Sequence, residues 1–355
     1  MKLLRLAPES TKFPFMRFRR VSYPFSALLS LIAVALFVFR GMNFGIDFAG
    51  GTVIELRAKS GAAEVGTLRT LGENLHLGDI EVQAFGNPSD ATLRFGLQPG
   101  GDVAQQAAVE RVREAVGAYY DLRRVEVVGP RVSNELVQSG TLGVVLSIIA
   151  VLTYLWFRFE WQFAIGAVIA TMHDLLLTVG FFSITQLEFN TTSIAAILTI
   201  VGYSLNETVV VLDRIRENMR KYKKMATAQM VDMSINAVLP RTIMTATTVM
   251  LALFALVAFG GQVIRSFSLA MIWGIFVATY SSIFICSPML IYLGLRNEDA
   301  DKAAQRHETE RKPEAAVAAR EDVAEEPSAA PPTSPEKSPS PPRKPAGKRA
   351  KTRPA

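Results

Sequence analysis

Residues 194–218 read IAAILTIVGYSLNETVVVLDRIREN, and this stretch decides the fold class. It begins as an apolar helix of the kind that crosses a membrane, carries one carboxylate, Glu207, inside the apolar run, and ends in charged residues. An ionisable side chain in hydrocarbon costs on the order of 3 kcal/mol or more, so such residues usually serve a pathway or a partner. Glu207 is therefore the first functional candidate, and a purely structural ion pair stays open as the alternative.

The charges that follow this stretch predict the topology. The next loop is rich in basic residues: Arg214, Arg216, Arg220, Lys221, Lys223 and Lys224. A concentration of lysine and arginine marks the cytoplasmic side of a membrane protein. Bilayer cores are roughly 30 Å thick, and six apolar runs are long enough to cross one: about 23–39, 140–157, 162–184, the run from 191 through Glu207, 242–259 and 266–295. We therefore expect an all-α bundle of six transmembrane helices with both termini in the cytoplasm.

Composition narrows the class further. Half of the 355 residues are hydrophobic, which a large soluble protein also reaches, so the assignment depends on how the apolar residues cluster. The net charge of +6 arises mostly in loops and in the C-terminal tail, which favours an anionic membrane surface over a nucleic-acid partner. The single cysteine, Cys286, excludes a disulfide framework. The run at 23–39 is longer than a usual signal-peptide core and lacks a small-residue cleavage site, which predicts a permanent signal anchor.

Residues 52–130 predict a small folded domain on the far side of the membrane. Their pattern is strand 52–57, helix 62–75, strand 79–85, strand 91–97, helix 102–120 and strand 123–128. This βαββαβ order is typical of a ferredoxin-like α+β unit, with two helices on one face of an antiparallel sheet. The predicted division of the chain is a basic cytoplasmic N-terminus (1–21), transmembrane helix 1 (22–40), a periplasmic domain (41–136), transmembrane helices 2–6 (137–295) and a disordered cytoplasmic tail (296–355).

The tail is rich in proline, alanine, serine, lysine and glutamate and has few large apolar residues. Such a composition cannot bury enough surface to offset the entropy of ordering, which predicts disorder. Its last part, residues 337–353, is basic. Contact with anionic lipid is one hypothesis for that part, and a solubilising role is the other.

Four ionisable side chains in or beside the predicted membrane helices form the candidate site: His173, Asp174, Glu207 and Arg241. At about 1.5 Å per residue, Asp174 lies near the membrane midplane and Glu207 nearer the cytoplasmic side, where Arg241 enters its helix. An arginine favours the ionised carboxylate and desolvation disfavours it, so a carboxylate between the two influences can bind and release a proton. The pattern predicts a proton relay, and a fixed Glu207–Arg241 pair that joins two helices stays the alternative.

Enzymatic chemistry is not indicated. The sequence has neither a zinc-protease motif nor a nucleophile elbow. Successive helical residues lie about 100° apart, so we expect His173 and Asp174 to face different sides of their helix. His76 in the soluble domain has no cluster of metal ligands around it. We expect a protein that is not an enzyme and that needs no cofactor and no metal.

The junction between the first membrane helix and the domain reads GMNFGIDFAGGTVIEL, residues 41–56. Its glycines, Gly45, Gly50 and Gly51, permit close approaches and backbone angles that other residues avoid, which predicts a tight turn at the membrane surface. The required lysine and hydroxyl residue of a phosphate-binding loop are missing.

Three elements together resemble the SecF family of bacterial protein-export subunits, relatives of the RND transporters: this junction, the pair His173-Asp174, and VGYSLNETVVVLDRIRENMRK at 201–221. The resemblance covers about residues 20–295. It implies that the six-helix bundle is similar to one half of an RND transporter. It implies a multi-pass protein of the bacterial inner membrane that uses the proton-motive force in the Sec pathway. The implied partners are SecD, the SecYEG channel, YajC and preproteins in transit.

The resemblance also assigns roles to single residues. The family's intramembrane carboxylate falls on Glu207, where aspartate is usual, and its arginine falls on Arg241. Structural roles are implied for Gly45, Asp47, Gly50, Gly51, Asp213 and Arg214. Two other functions stay open: an RND-type exporter of small molecules or lipids, and a scaffold that holds SecD without handling protons.

Overall fold

The structure is a computed structural model that describes residues 11–84 and 86–295, with backbone alone at residues 262 and 263. Its helices are α1 (Arg19–Arg40), α2 (Ile46–Ala49), α3 (Val65–Asn74), α4 (Gly101–Val116), α5 (Pro130–Arg158), α6 (Trp161–Thr185), α7 (Thr191–Lys221), α8 (Thr227–Phe259), α9 (Gln262–Ser281) and α10 (Ser287–Tyr292). A 3₁₀ turn, Phe15–Phe18, precedes α1, and a π-helical segment, Ser282–Cys286, joins α9 to α10. The strands are β1 (Gly51–Ala58), β2 (Ile80–Ala84), β3 (Asp90–Phe95) and β4 (Tyr120–Val128). The predicted tail, 296–355, lies outside the described residues.

Six helical segments of the described chain are long and apolar enough to cross a membrane, so the predicted multi-pass architecture is confirmed. They contain α1, α5, α6, α7, α8, and α9 with α10. Between 44% and 61% of the apolar window is buried in α6, α7 and the α9–α10 segment, against 6–17% in α1, α5 and α8. The segments α6, α7 and α9–α10 therefore form the centre of the bundle. The helices α1, α5 and α8 present apolar faces to the surroundings.

Two helices begin earlier than the sequence indicated. The predicted start of the second membrane helix was residue 140, but α5 begins at Pro130, whose fixed φ suits the first helical turn. The second difference is in α8: the predicted run began at residue 242, just after Pro240-Arg241, which read as the start of the helix, but α8 begins at Thr227 and Pro240 lies inside it. A proline removes one backbone hydrogen bond. The helix continues through it because the preceding turns are packed: Met230, Val231 and Ile235 lie in the buried cluster that contains Leu212 and Ile215 of α7.

The domain between α1 and α5 has the predicted ferredoxin-like fold. Its strands lie in the order β2-β3-β1-β4, and all three pairings are antiparallel. Alternate strand residues such as Ile54, Leu56 and Leu93 point into a core shared with Leu68 of α3 and Val112 of α4. The opposite face of the sheet carries polar residues and is not covered by the domain's own helices. It borders the end of the bundle where α6 meets α7, called the domain end below.

A glycine turn positions the domain on the bundle. Gly51 has φ +125°, and a Cβ at that position would lie 2.5 Å from the carbonyl oxygen of Phe95. Gly45 donates its N–H to Phe189 at 2.8 Å, and Phe189 donates to Asn43 at 2.7 Å, so the junction pairs with the α6–α7 loop. The junction thus joins the soluble domain to the membrane helices through a short strand-like backbone pairing.

Candidate functional site

Asp174 is a buried carboxylate that bonds across helices inside the bundle. It is 1% exposed, and its Oδ2 accepts hydrogen bonds from Ser204 Oγ of α7 at 2.6 Å and from Ser281 Oγ of α9 at 2.7 Å. One carboxylate oxygen of α6 therefore joins the three central helices. Buried polar groups in membrane helices are costly unless bonded, so this arrangement fixes the relative position of the three helices.

His173 contacts its neighbour, which the sequence analysis did not expect. Its Nδ1 lies 3.1 Å from Asp174 Oδ1, and the imidazole is 6% exposed. The two residues start about 100° apart on α6, but both positions are buried and the two side chains contact each other. The other ring nitrogen, Nε2, is buried without a hydrogen-bond partner among the described residues.

Glu207 lies three residues after Ser204 on α7 and is 4% exposed. Thr242 Oγ1 of α8 donates a hydrogen bond to Glu207 Oε1. Residues three apart on a helix lie on one face. Ser204 and Glu207 therefore lie on the same face of α7, and Ser204 bonds to Asp174 of α6. Ser204 thus lies between the two carboxylates.

Arg241 is placed differently from the expectation. The ion pairs within 4.0 Å that the described residues form do not include one between Arg241 and Glu207. Thr242 occupies the buried position next to Glu207, and its neighbour Arg241 is exposed on the bundle surface. Neighbouring helical residues lie about 100° apart, and α8 turns Thr242, not Arg241, toward Glu207.

The interior carboxylates therefore lack a lysine or arginine partner within the described residues, and Asp174 has His173 as its basic neighbour. Neither Asp174 nor Glu207 has a lysine or arginine nitrogen within 4.0 Å there. An ionised carboxylate taken out of water costs several kcal/mol unless a cation or donors compensate it. Hydroxyl donors supply only part of that compensation, so a proton or a cation from another chain is the group that each site can take up. The described residues contain no group of three or more potential metal ligands.

Sequence reasoning did not identify the hydroxyl partners, Ser204, Ser281 and Thr242. Serine and threonine are common in membrane helices, where they also bond to their own backbone. The one available signal was spacing, since Ser204 lies three residues before Glu207 and Thr242 directly follows Arg241. Ser281 had no such signal, because only the fold brings α9 to Asp174.

The residues with implied structural roles lie at the two ends of α7. Asp47 Oδ2 accepts from the backbone N–H of Thr191 at 2.9 Å and from its hydroxyl at 2.7 Å, which caps the start of α7. At the other end, Arg158 of α5 donates to both oxygens of Asp213 at 2.9 and 2.8 Å. Arg214 pairs with Glu217 one turn along the helix at 2.7 Å. These contacts fix α7, and with it Glu207, along the bundle axis.

A cleft of about 360 Å³ separates the open sheet face from the domain end of the bundle. It is lined by acidic residues and two arginines: Asp47, Glu55, Glu81, Glu126, Glu188, Arg94 and Arg124. Arg94 donates to Asn43 Oδ1 at 3.2 Å and to the carbonyl of Phe44, so β3 is tied to the junction. Burial raises the pKa of Glu188 in the α6–α7 loop, Arg94 opposes that shift, and Asp47, Glu81 and Glu126 add to it.

Comparison with known proteins agrees with this architecture. The family described as "Protein export membrane protein SecD/SecF, C-terminal" matches residues 108–296, and the "SecD/SecF GG Motif" matches residues 35–62. A SecF protein translocase subunit of Rickettsia bellii is 45% identical over 294 residues, which are 81% of this chain and 95% of that protein. A SecDF subunit of Brucella abortus is 45% identical over 298 residues, 84% of this chain and 39% of that protein.

Solved structures give the same result. The crystal structure of SecDF from Thermus thermophilus aligns with a TM-score of 0.72 and 34% identity, covering 82% of this chain and 40% of that one. A crystal structure of SecDF in a super-membrane-facing form aligns with a TM-score of 0.60 and 36% identity, covering 83% and 40%. The chain thus spans about two fifths of the SecDF proteins and nearly the whole of the SecF relative.

The fold and the site define a multi-pass membrane protein with a soluble ferredoxin-like domain and carboxylates inside its helix bundle. The chain belongs to the SecD/SecF family of protein-export membrane proteins. The predicted resemblance is thereby confirmed.

Proposed function

We propose that this chain is the SecF-type half of a proton-driven, non-enzymatic machine that promotes protein export across the bacterial inner membrane, with both termini in the cytoplasm. The observation that carries the proposal is the pair of buried carboxylates, Asp174 and Glu207, which have no lysine or arginine partner among the described residues. Asp174 has the imidazole of His173 beside it, with Nδ1 3.1 Å from Oδ1. A proton arriving at either site removes a charge from a region of low dielectric. A difference of a few kcal/mol between protonation states is enough to shift an equilibrium between two packings of the helices.

The exposed Arg241 supports a partner chain. A guanidinium on the surface of a membrane helix is costly unless an acidic group covers it. It lies on α8, one of the three helices whose apolar faces the described chain leaves open. SecDF relatives carry additional sequence of about the size of a second half. We infer that a SecD subunit covers this face and supplies an acidic group that shares the proton chemistry of Glu207 and Arg241.

The resemblance adds further partners to the proposal. The SecYEG channel, YajC and preproteins in transit would contact the assembled pair, and anionic lipid is a partner for the basic tail. The soluble domain stands at the domain end of α7, where Asp47 bonds to Thr191. A shift of α7 that follows protonation of Glu207 therefore acts directly on the junction that carries the domain.

The first experiment is Glu207→Gln, which keeps the shape of the side chain and removes its titration. Export of a secreted precursor into membrane vesicles is measured with and without a protonophore. The variant is expected to lose the proton-dependent phase of export by about tenfold or more while it still co-purifies with its SecD partner. Glu207→Asp keeps an acid, one methylene shorter, and is expected to retain most of the activity. Glu217→Gln is the matched control, since this exposed carboxylate lies on the same helix.

The outcomes separate the proposal from a scaffold role. If Glu207→Gln supports export that still responds to the protonophore as the unaltered protein does, the relay is wrong and a scaffold that stabilises SecD is favoured. If Glu217→Gln loses the proton-dependent phase to the same extent, the effect does not belong to the interior site. Small-molecule export was the other alternative, and the match to protein-export relatives over most of the chain disfavours it.

A further inference from the structure

The π-helical segment Ser282–Cys286 interrupts the last membrane helix directly after Ser281, the residue that binds Asp174. A π-helical turn carries one residue more than the α-helix around it and occurs mainly at functional sites. Pro288 follows the segment and has no N–H, so a backbone carbonyl one turn earlier lacks its helical donor. The interruption is thus encoded in the sequence and located beside the polar core.

Side chains of α1 complete the hydrogen bonding of this segment. Ser22 Oγ donates to the carbonyl of Phe284 at 3.1 Å, and Tyr23 Oη donates to the carbonyl of Ile285 at 2.8 Å. From the first residue of α10, Ser287 Oγ donates to the carbonyl of Ser282 at 2.8 Å. The carbonyls of Ser282, Phe284 and Ile285 thus each have a side-chain donor, so the segment does not depend on regular helical hydrogen bonds alone.

Asp174 bonds to Ser281, the residue directly before the π-helical segment. Ser281 Oγ, which is fully buried, bonds to Asp174 Oδ2 at 2.7 Å and lies 3.2 Å from the carbonyl of Ala278 in its own helix. When the carboxylate is ionised, it accepts from Ser281 and Ser204 at once. A proton on Asp174 weakens the oxygen as an acceptor, and the Ser281 hydroxyl then has the carbonyl of Ala278 as its alternative.

We propose that Asp174, with Ser204 and Ser281 as positioning residues, is a proton-operated pin that holds the π-helical segment in place, and that protonation of Asp174 releases it. The released segment loosens its contact with α6, where Gly166 allows close packing: a Cβ there would lie 3.3 Å from the carbonyl oxygen and 3.5 Å from Sγ of Cys286. This inference deepens the proposed function, on which it rests, by naming the helix break that protonation moves.

The chain contains its own reporter of this movement. Cys286 is its single cysteine and is the last residue of the segment, with no exposed surface. The rate at which N-ethylmaleimide alkylates Cys286 in the membrane-embedded protein therefore measures how often the segment opens. Dividing by the rate for the same protein unfolded in detergent and urea at the same pH removes the intrinsic dependence of thiolate formation on pH.

The test compares three variants with the unaltered protein. Asp174→Asn and Ser281→Ala each remove the charged hydrogen bond and are expected to raise the normalised alkylation rate about tenfold or more. Ser268→Ala is the control, because Ser268 is equally buried on α9 but bonds to the carbonyl of Ile264 in its own helix at 2.7 Å. Its rate is expected to stay within about twofold of the unaltered protein. Unchanged rates in both Asp174→Asn and Ser281→Ala overturn the proposal, as does an equal rise in Ser268→Ala.

A pH profile separates a pin from a merely structural contact. The ionisable groups near Asp174 are His173 on α6, Glu207 on α7, and Cys286 itself, with Tyr23 of α1 and Tyr280 of α9 adjoining. In the unaltered protein and in Glu207→Gln, the normalised rate is expected to rise as the pH falls, whereas in Asp174→Asn it is flat. If the alkylation rate of Asp174→Asn still depends on pH, another group is responsible for the titration, and the proposal for Asp174 is overturned. The alkylation rate does not depend on export. It therefore tests the role of Asp174 even if export by the Glu207→Gln variant is normal.

Discussion

The bundle interior and the cleft beneath the soluble domain both contain carboxylates, but they hold them in different ways. In the cleft, Arg94 lies 3.6 Å from Glu81, and Arg124 lies 3.8 Å from Glu55 and contacts Glu126 as well. These side chains are partly open to water. In the interior, Asp174 and Glu207 are almost fully buried and bond to hydroxyl groups instead of lysine or arginine, with the His173 imidazole beside Asp174.

This difference determines what a proton can do in each region. Partly exposed ion pairs are screened, and each is worth about 0–1 kcal/mol, so a change of charge in the cleft is absorbed by water and neighbouring arginines. Inside the bundle the same change is not screened, and it alters the hydrogen bonds that join the central helices. In the proposed function, the step that converts a proton gradient into movement is therefore assigned to the interior.

The largest expected contrast comes from replacing one arginine in each region. Arg241→Ala is expected to reduce the proton-dependent phase of export about tenfold or more, because under the proposed function Arg241, which directly precedes the Glu207 donor Thr242, shares the proton chemistry of that site. Arg124→Ala in the cleft, which loses only screened pairs, is expected to change export by less than about twofold. The vesicle assay with and without a protonophore measures both. Equal losses would show that the comparison between the two regions is mistaken.

The second largest effect is expected at the junction between the bundle and the soluble domain, where a glycine is replaced. Gly51→Ala places a Cβ 2.5 Å from the Phe95 carbonyl at a backbone φ of +125°, so it is expected to destabilise the β1–β3 pairing by about 3 kcal/mol. Gly61→Ala is the control: its φ is +75°, but a Cβ there meets no atom within 4 Å, and about 1 kcal/mol is expected. Hydrogen exchange of the β1 and β3 amides in the full chain measures the two values. A smaller effect at Gly51 than at Gly61 would mean that the strand pairing does not depend on this turn.

The fold was largely predictable from the sequence. Long apolar runs and a βαββαβ pattern depend on composition within each segment, and both the six membrane helices and the ferredoxin-like domain were found where they were expected. Helix ends were less predictable. Pro240 reads as a helix start, but the packing of Met230 and Ile235 against α7 carries the helix through it.

The candidate site was predictable only in part. Carboxylates stand out in apolar sequence, so Asp174 and Glu207 were identified directly. Their partners depend on which helices touch, and no pattern within α9 indicates that Ser281 bonds to a residue 107 positions earlier. For the same reason the sequence suggested Arg241 as the neighbour of Glu207, whereas the rotation of α8 places Thr242 there.

The smallest expected effects distinguish two carboxylates of the soluble region by the sign of their pH dependence. Arg57 hydrogen-bonds to Asp90 at 2.6 and 2.7 Å and lowers the pKa of Asp90, so ionised Asp90 stabilises the domain above its unfolded pKa of about 4. That stabilisation is lost as the pH falls through the lowered folded pKa. Glu188 behaves in the opposite way, because burial raises its pKa and its ionised form costs stability above the unfolded pKa of about 4.3.

Acidification from neutral pH is therefore expected first to stabilise the cleft, as Glu188 takes up a proton at or above about pH 4.3, and then to weaken the β1–β3 pairing at lower pH as Asp90 does. Hydrogen exchange of β1–β3 and of the α6–α7 loop, corrected for the intrinsic rate at each pH, measures both phases. Glu188→Gln should abolish the first phase alone, and Asp90→Asn the second alone. If Glu188→Gln instead leaves the first phase intact, another group carries that titration, and the burial of Glu188 does not determine how the cleft responds to pH.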